Sequence, residues 1–175
     1  PSLRISSDTD ILIKKQDLKK IKKILTSLNF NIKPKNPTSH HIVAVHPIGG
    51  ILELHMLLYD ELFDDVWFDK YTKQQEPVMY ITVSDGIQLP TLGVTDGLIF
   101  ITLHCIKHFL SRGVGIKQVM DTLMYMHGYK DKIDWDRFWQ LMIHLNYNNF
   151  VNHLIGIGKE YLMFSADDLP KCKYD

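Results

Sequence analysis

The sequence contains only two cysteines, Cys105 and Cys172, too few and too far apart for a disulfide framework or for zinc-ligand spacing. The chain therefore reads as a protein of the reducing cytoplasm. No stretch approaches the roughly 20 apolar residues that span a bilayer, so no membrane anchor is expected. Twenty basic residues are balanced by twenty acidic ones, which leaves no broad positive field of the kind that holds nucleic acid non-specifically. A polynucleotide partner is not favoured. An initiating Met and a signal peptide are also missing, and Pro1-Ser-Leu-Arg4 runs almost directly into a strand pattern, so the sequence is expected to begin inside a domain.

What is there is the composition of a globular protein, 45% hydrophobic and 23% charged over 175 residues. Ile11-Leu-Ile13 reads as a short buried strand. From Asp17 to Leu28, apolar Leu18, Ile21, Ile24, Leu25 and Leu28 recur at helical spacing, with Lys19, Lys20, Lys22 and Lys23 mostly on the other side. Asn29–Ser39 reads as a connector. His41–His46 and Ile51–Met56 then flank Pro47-Ile-Gly-Gly50 as a β-hairpin. A further strand is expected at Val78–Val83, and the acidic, aromatic segment Leu57–Tyr71 fits no element. From Thr95 onward the pattern is helical, with helices near Leu98–Leu110, Ile116–Met126, Trp135–Leu145 and Phe150–Phe164 and Asp134 as an N-cap. The expected class is α+β: a small mixed β-sheet with flanking helices over residues 1–94, then a C-terminal α-helical bundle over 95–175.

Strand alternation puts Asp8 and Asp10 on one side, with Thr9, Ile11 and Ile13 on the other. Two carboxylates that close repel unless a cation or a proton neutralises them, which makes the pair a candidate divalent-metal site. Ser-Ser-Asp-Thr-Asp is also an ordinary loop composition. Glu53 sits at the centre of the otherwise apolar strand Ile51-Leu-Glu-Leu-His55, where an acid without a partner is costly to bury. A neighbouring strand about 4.8 Å away brings Glu53 to Asp8 and Asp10. The alternative is a half-exposed sheet on which Leu52 and Leu54 alone are buried and Glu53 faces solvent.

Arg4-x-x-x-Asp8-x-Asp10-Ile-Leu-Ile, a lysine-rich helix ending near Asn29-Phe30, and the strand Glu53-Leu-His55 together resemble the uncharacterised nucleotidyltransferase family of the DNA polymerase β-like superfamily. The likeness continues through Leu103-His-Cys-Ile-Lys-His108, Lys117-x-x-x-Asp121 and Ile133-Asp-Trp-Asp-Arg-Phe138. It implies a nucleotidyltransferase-like fold in the first part. It also implies transfer of a nucleoside monophosphate from a nucleoside triphosphate to an unknown small-molecule or protein acceptor, with Mg²⁺ or Mn²⁺ as cofactor. Asp8 and Asp10 would bind both ions, and Glu53 the ion beside the attacking oxygen. The superfamily's small-residue turn ahead of the D-x-D strand, which holds triphosphate oxygens, is expected ahead of Pro1, where it has either been cut off or is absent.

Arg4 is a candidate for orienting the carboxylates or meeting phosphate, and Lys107 and His108 are further phosphate candidates. His104 and His108, four apart on one helical face, are the spacing of a zinc pair but lack further ligands. A catalytically inactive nucleotidyltransferase-fold module, as a binding or toxin–antitoxin component, is the competing function.

Overall fold

The computed structural model describes residues 8–34, 41–56 and 78–174. The chain divides into two compact units, Pro1–Leu62 and Phe63–Asp175. The segment Leu57–Tyr71 lies outside the described residues, as does Arg4.

The first unit runs β1 (Thr9–Leu12), α1 (Leu18–Ser27), β2 (Asn31–Ile32), β3 (His41–Val45) and β4 (Ile51–His55). The strands lie in the order β1-β4-β3-β2, with β1 parallel to β4 and the other neighbours antiparallel, so the sheet is mixed as expected. The hairpin turn is present: Gly49 (φ 130°) and Gly50 (φ 95°) take conformations that side chains disfavour, and His46 N–H donates to Gly50 O at 3.0 Å. β2 lies within the stretch read as a connector. Two residues are too short to show a period of two, and only the pairing of Asn31 with Val45 and Ile32 with Ala44 defines it.

One face of this sheet carries Ile42, Ala44 and Leu54, and it packs with Ile13 and with Leu18, Ile21 and Leu25 of α1. Lys19, Lys20 and Lys23 of α1 are exposed, while Lys22 is half-buried. Ile24 and Leu28 belong to the apolar stripe of the sequence pattern, yet they remain 47% and 54% exposed. At about 100° per residue Ile24 falls a quarter-turn round from Leu25, at the margin of the buried face.

In the second unit β5 (Met79–Thr82) and β6 (Gln88–Thr91) form an antiparallel hairpin. β5 is the strand expected at Val78–Val83; β6 was not expected. Four helices follow: α2 (Val94–Arg112), α3 (Ile116–Gly128), α4 (Trp135–His144) and α5 (Asn148–Tyr161). α2 packs on α3 and α4, and α5 packs on the same two, which closes a four-helix bundle-like arrangement. α2 begins earlier than its apolar pattern suggests because its first turn is polar and nevertheless buried, through Thr95 and Asp96. Asp134 caps α4 as expected, its carboxylate accepting from Arg137 N–H at 3.0 Å.

Leu98, Ile106, Leu123, Phe138, Met142 and Ile155 are among the fully buried side chains of the bundle. Cys105 joins them as a free thiol, and burial pushes its pKa up to about 11 against a hydrogen bond with Thr122 that lowers it. It is an inert core residue. No helix among the described residues is long and apolar enough to cross a membrane.

Candidate metal centre

Because β4 sends Leu54 into the core, alternation sends Ile51, Glu53 and His55 to the opposite face of the sheet. Glu53 is the Cα partner of Asp10 on one side and of Val43 on the other, while His55 is the partner of His41. Cross-strand partners point to the same side. Asp10, Glu53, His55 and His41 therefore share the face away from α1, delivered by three neighbouring strands.

The side chains meet. A carboxylate only accepts, so His55 Nε2–H donates to Asp10 Oδ1, at 2.8 Å. The same nitrogen lies 3.7 Å from Glu53 Oε2, and His41 Nε2 lies 3.5 Å from that oxygen. The two imidazoles lie nearly side by side, with ring centroids 5.2 Å apart and planes inclined by 32°. Exposure runs from 14% at His55 to 33% at Asp10, so the groups are partly shielded from water while a ligand can still reach them. Glu53 is neither solvated nor stranded in a core: at 22% exposure it is flanked by imidazoles on two strands.

Of the residues read from the sequence, Asp10 and Glu53 are brought side by side. Asp8 stands one residue ahead of β1 and is exposed; alternation assigns it the side of Asp10. Lys107 and His108 lie half-buried on α2, in the second unit. Arg112 Nε donates to His108 Nδ1 at 2.9 Å, which leaves the Nε2–H of a neutral ring to donate to His104 Nε2 at 2.8 Å. Among the described residues, that pair gains no third His, Cys, Asp or Glu close enough to share an ion with it. Among the described residues, the group of three His, Cys, Asp or Glu side chains close enough to share one ion is His41, Glu53 and His55.

His41 and His55 are the site residues that sequence reasoning missed as ligands. Each carried a signal. His55 is two residues after Glu53 and so must share its face in any strand, and counting back through the Pro47–Gly50 turn places His41 opposite His55.

The donor set suits a divalent cation. Asp10 and Glu53 offer hard carboxylate oxygens on adjacent strands, whose mutual repulsion a cation relieves. The imidazoles of His41 and His55 add two nitrogen ligand positions beside them, that of His55 once its Nε2 proton has left Asp10.

A family model described as an uncharacterised nucleotidyltransferase matches residues 1–162. That span includes all four side chains of the cluster and the four helices of the second unit. No curated protein and no solved structure gives a significant match to the chain.

Proposed function

The chain belongs to the uncharacterised nucleotidyltransferase family, and on that footing we propose that it is a Mg²⁺- or Mn²⁺-dependent enzyme. It transfers a nucleoside monophosphate from a nucleoside triphosphate to an acceptor hydroxyl or phosphate and releases pyrophosphate. The observation that carries this reading is the register of β1 on β4, in which Asp10 and Glu53 are direct partners on one face. When bound, divalent ions supply charge neutralisation to an in-line displacement at the α-phosphorus.

Asp8, Asp10 and Glu53 are the residues that would hold those ions. His55 is a positioning residue for Asp10, through the bond from Nε2 to Oδ1. Glu53 accepts the proton of the acceptor hydroxyl, and His41 and His55, within 3.7 Å of its carboxylate, stabilise the charge it carries beforehand. Arg4, which precedes the D-x-D strand, is the cation assigned to the triphosphate. The balanced net charge favours a small-molecule or protein acceptor over a polynucleotide. The free thiols of Cys105 and Cys172 suit the cytoplasm.

The test is pyrophosphate release by the full chain with each nucleoside triphosphate in Mg²⁺ or Mn²⁺, with a pool of small-molecule and protein acceptors present. Asp10→Asn and Glu53→Gln should each abolish release while circular dichroism and the melting temperature stay close to those of the parent. Release that persists in both variants would overturn the assignment. A chain that binds nucleotide but never turns over would instead be the inactive module.

A further inference from the structure

Two imidazoles at a site assigned to Mg²⁺ call for an explanation. Mg²⁺ is a hard cation that takes oxygen ligands and keeps much of its water, and it gains little from imidazole. Asp10 alone would suffice as an oxygen partner to Glu53. Instead, Glu53 Oε2 lies 3.5 Å from His41 Nε2 and 3.7 Å from His55 Nε2, and all three donor atoms fall within 4.8 Å of one another.

Those spacings are close to what one small ion requires. With bonds of about 2.0–2.2 Å, the ligand atoms of a tetrahedral ion lie roughly 3.3–3.5 Å apart. Closing the present separations takes side-chain adjustments on the order of an ångström, which the partly exposed rings can make without moving the strands. His41 and His55 are cross-strand partners in a five-residue antiparallel ladder, and Glu53 is fixed between Asp10 and Val43, so the backbone already holds the three donors together.

We propose that His41, Glu53 and His55 form a three-ligand site for a first-row transition-metal ion, bound in preference to Mg²⁺. Two imidazoles and one carboxylate leave further coordination positions open, as in sites where water or a substrate oxygen completes the shell. Among ions of this series the affinity rises from Mn²⁺ through Co²⁺ to Zn²⁺. Asp10 is the competitor at one ligand, because its carboxylate holds the Nε2–H of His55 when no ion is bound. The site shares Glu53 with the nucleotidyl-transfer reading and deepens it, by naming the class of ion that one of its positions selects.

The test uses the full chain, freed of metal with a chelator, and needs no nucleotide. Co²⁺ is titrated in and read by its visible d–d absorption, whose intensity distinguishes four- or five-coordinate from six-coordinate ions. The expected result is saturable binding with strong, low-coordination bands, bleached by equimolar Zn²⁺ and unaffected by millimolar Mg²⁺. His41→Gln and His55→Gln should each weaken Co²⁺ binding by about tenfold or more, while Asp10→Asn retains it. Absence of the bands in the parent chain would overturn the proposal, as would displacement of Co²⁺ by an equal concentration of Mg²⁺. The parent measurements stand even if a histidine variant fails to fold. Co²⁺ binding without any nucleotide turnover would sink the transfer reading and leave this one; turnover in Mg²⁺ without Co²⁺ binding would do the reverse.

Discussion

His55 donates from Nε2 to Asp10 Oδ1 at 2.8 Å, across the parallel pair of β1 and β4. A ligating carboxylate that is itself held by a hydrogen bond is oriented before the ion arrives, and losing such a partner typically costs about 10–100-fold in affinity or activity. His55→Ala should therefore lower Mg²⁺-dependent pyrophosphate release by about that factor. A Gln side chain can still donate to Asp10, so His55→Gln should recover part of the rate while failing to restore Co²⁺ binding. Equal rates for Ala, Gln and the parent would show that the contact does nothing for turnover.

The parts of this architecture legible in the sequence are those in which one pattern repeats several times. Leu52, Leu54 and Met56 alternate with Ile51, Glu53 and His55, so β4 and its two faces follow directly. Leu98, Leu123, Phe138 and Ile155 belong to helical stripes long enough to identify four helices. β2 escaped because it has two residues and is created by its neighbour. β6 escaped because Gln88-Leu-Pro-Thr91 contains a proline and no clean alternation, although Asp85-Gly86 ahead of it is a hairpin signal: Asp85 and Gly86 adopt φ of 62° and 74°. At the site, Asp10 and Glu53 stood out because acids among apolar strand residues are conspicuous. His41 did not, because with nine histidines in the chain only the register distinguishes it from its neighbours.

The second unit depends on a pair that no local pattern marks. Asp96 of α2 is 2% exposed and meets Arg137 of α4 at 2.5 Å, while beside it Asp134 N–H donates to Thr95 Oγ1 at 3.0 Å. Removing one partner of a buried pair strands the other charge, at a cost of about 3–5 kcal/mol. Asp96→Ala should lower stability by roughly 3 kcal/mol in urea unfolding of the full chain. The double change Asp96→Leu with Arg137→Met removes both charges and should be less destabilising than Asp96→Ala alone. A double variant worse than the sum of the singles would show that the pair is not what ties α2 to α4.

Gly97 lies one residue further along α2, against the ring of Tyr125 on α3. A Cβ at Gly97 would overlap the Tyr125 hydroxyl, which donates to Val94 O at 3.2 Å. In a free helix Gly→Ala is favourable by up to about 1 kcal/mol. Here the ring must move, at about 1–3 kcal/mol for overpacking, and the hydrogen bond, worth about 1 kcal/mol, is lost. The net expectation for Gly97→Ala is destabilisation of about 1–3 kcal/mol. Adding Tyr125→Phe removes the clashing oxygen, so a double-mutant cycle should show favourable coupling between the two changes. Additive effects would mean that helix and ring are not in contact.

The C-terminal segment is held by its own side chains, and this gives it a pH dependence. Asn152 brackets the backbone of Lys173, donating to its carbonyl at 2.8 Å and accepting from its N–H at 3.1 Å, and Leu169 is 5% exposed beside Gly158 and Leu123. Between them Asp168 Oδ2 accepts from Ser165 N–H at 2.7 Å, and Asp168 Oδ1 lies 3.2 Å from His127 Nδ1. Hydrogen bonds from Ser165, first from its hydroxyl and then from its backbone, hold the Asp168 carboxyl below the ordinary carboxylate value, and the positive charge of His127 and Lys130 acts in the same direction. A depressed folded-state pKa contributes stability that is present above the unfolded value, near pH 4, and is lost as pH falls through the lower folded value. Amide protection factors around Ser165–Leu169, with the intrinsic pH dependence of exchange divided out, should therefore stay high from neutral pH down to about pH 5 and fall below about pH 4. Asp168→Asn accepts at one oxygen but carries no charge, so it should exchange faster than the parent at neutral pH and converge with it in acid. Parallel profiles for the two chains across that window would show that Asp168 does not anchor the segment.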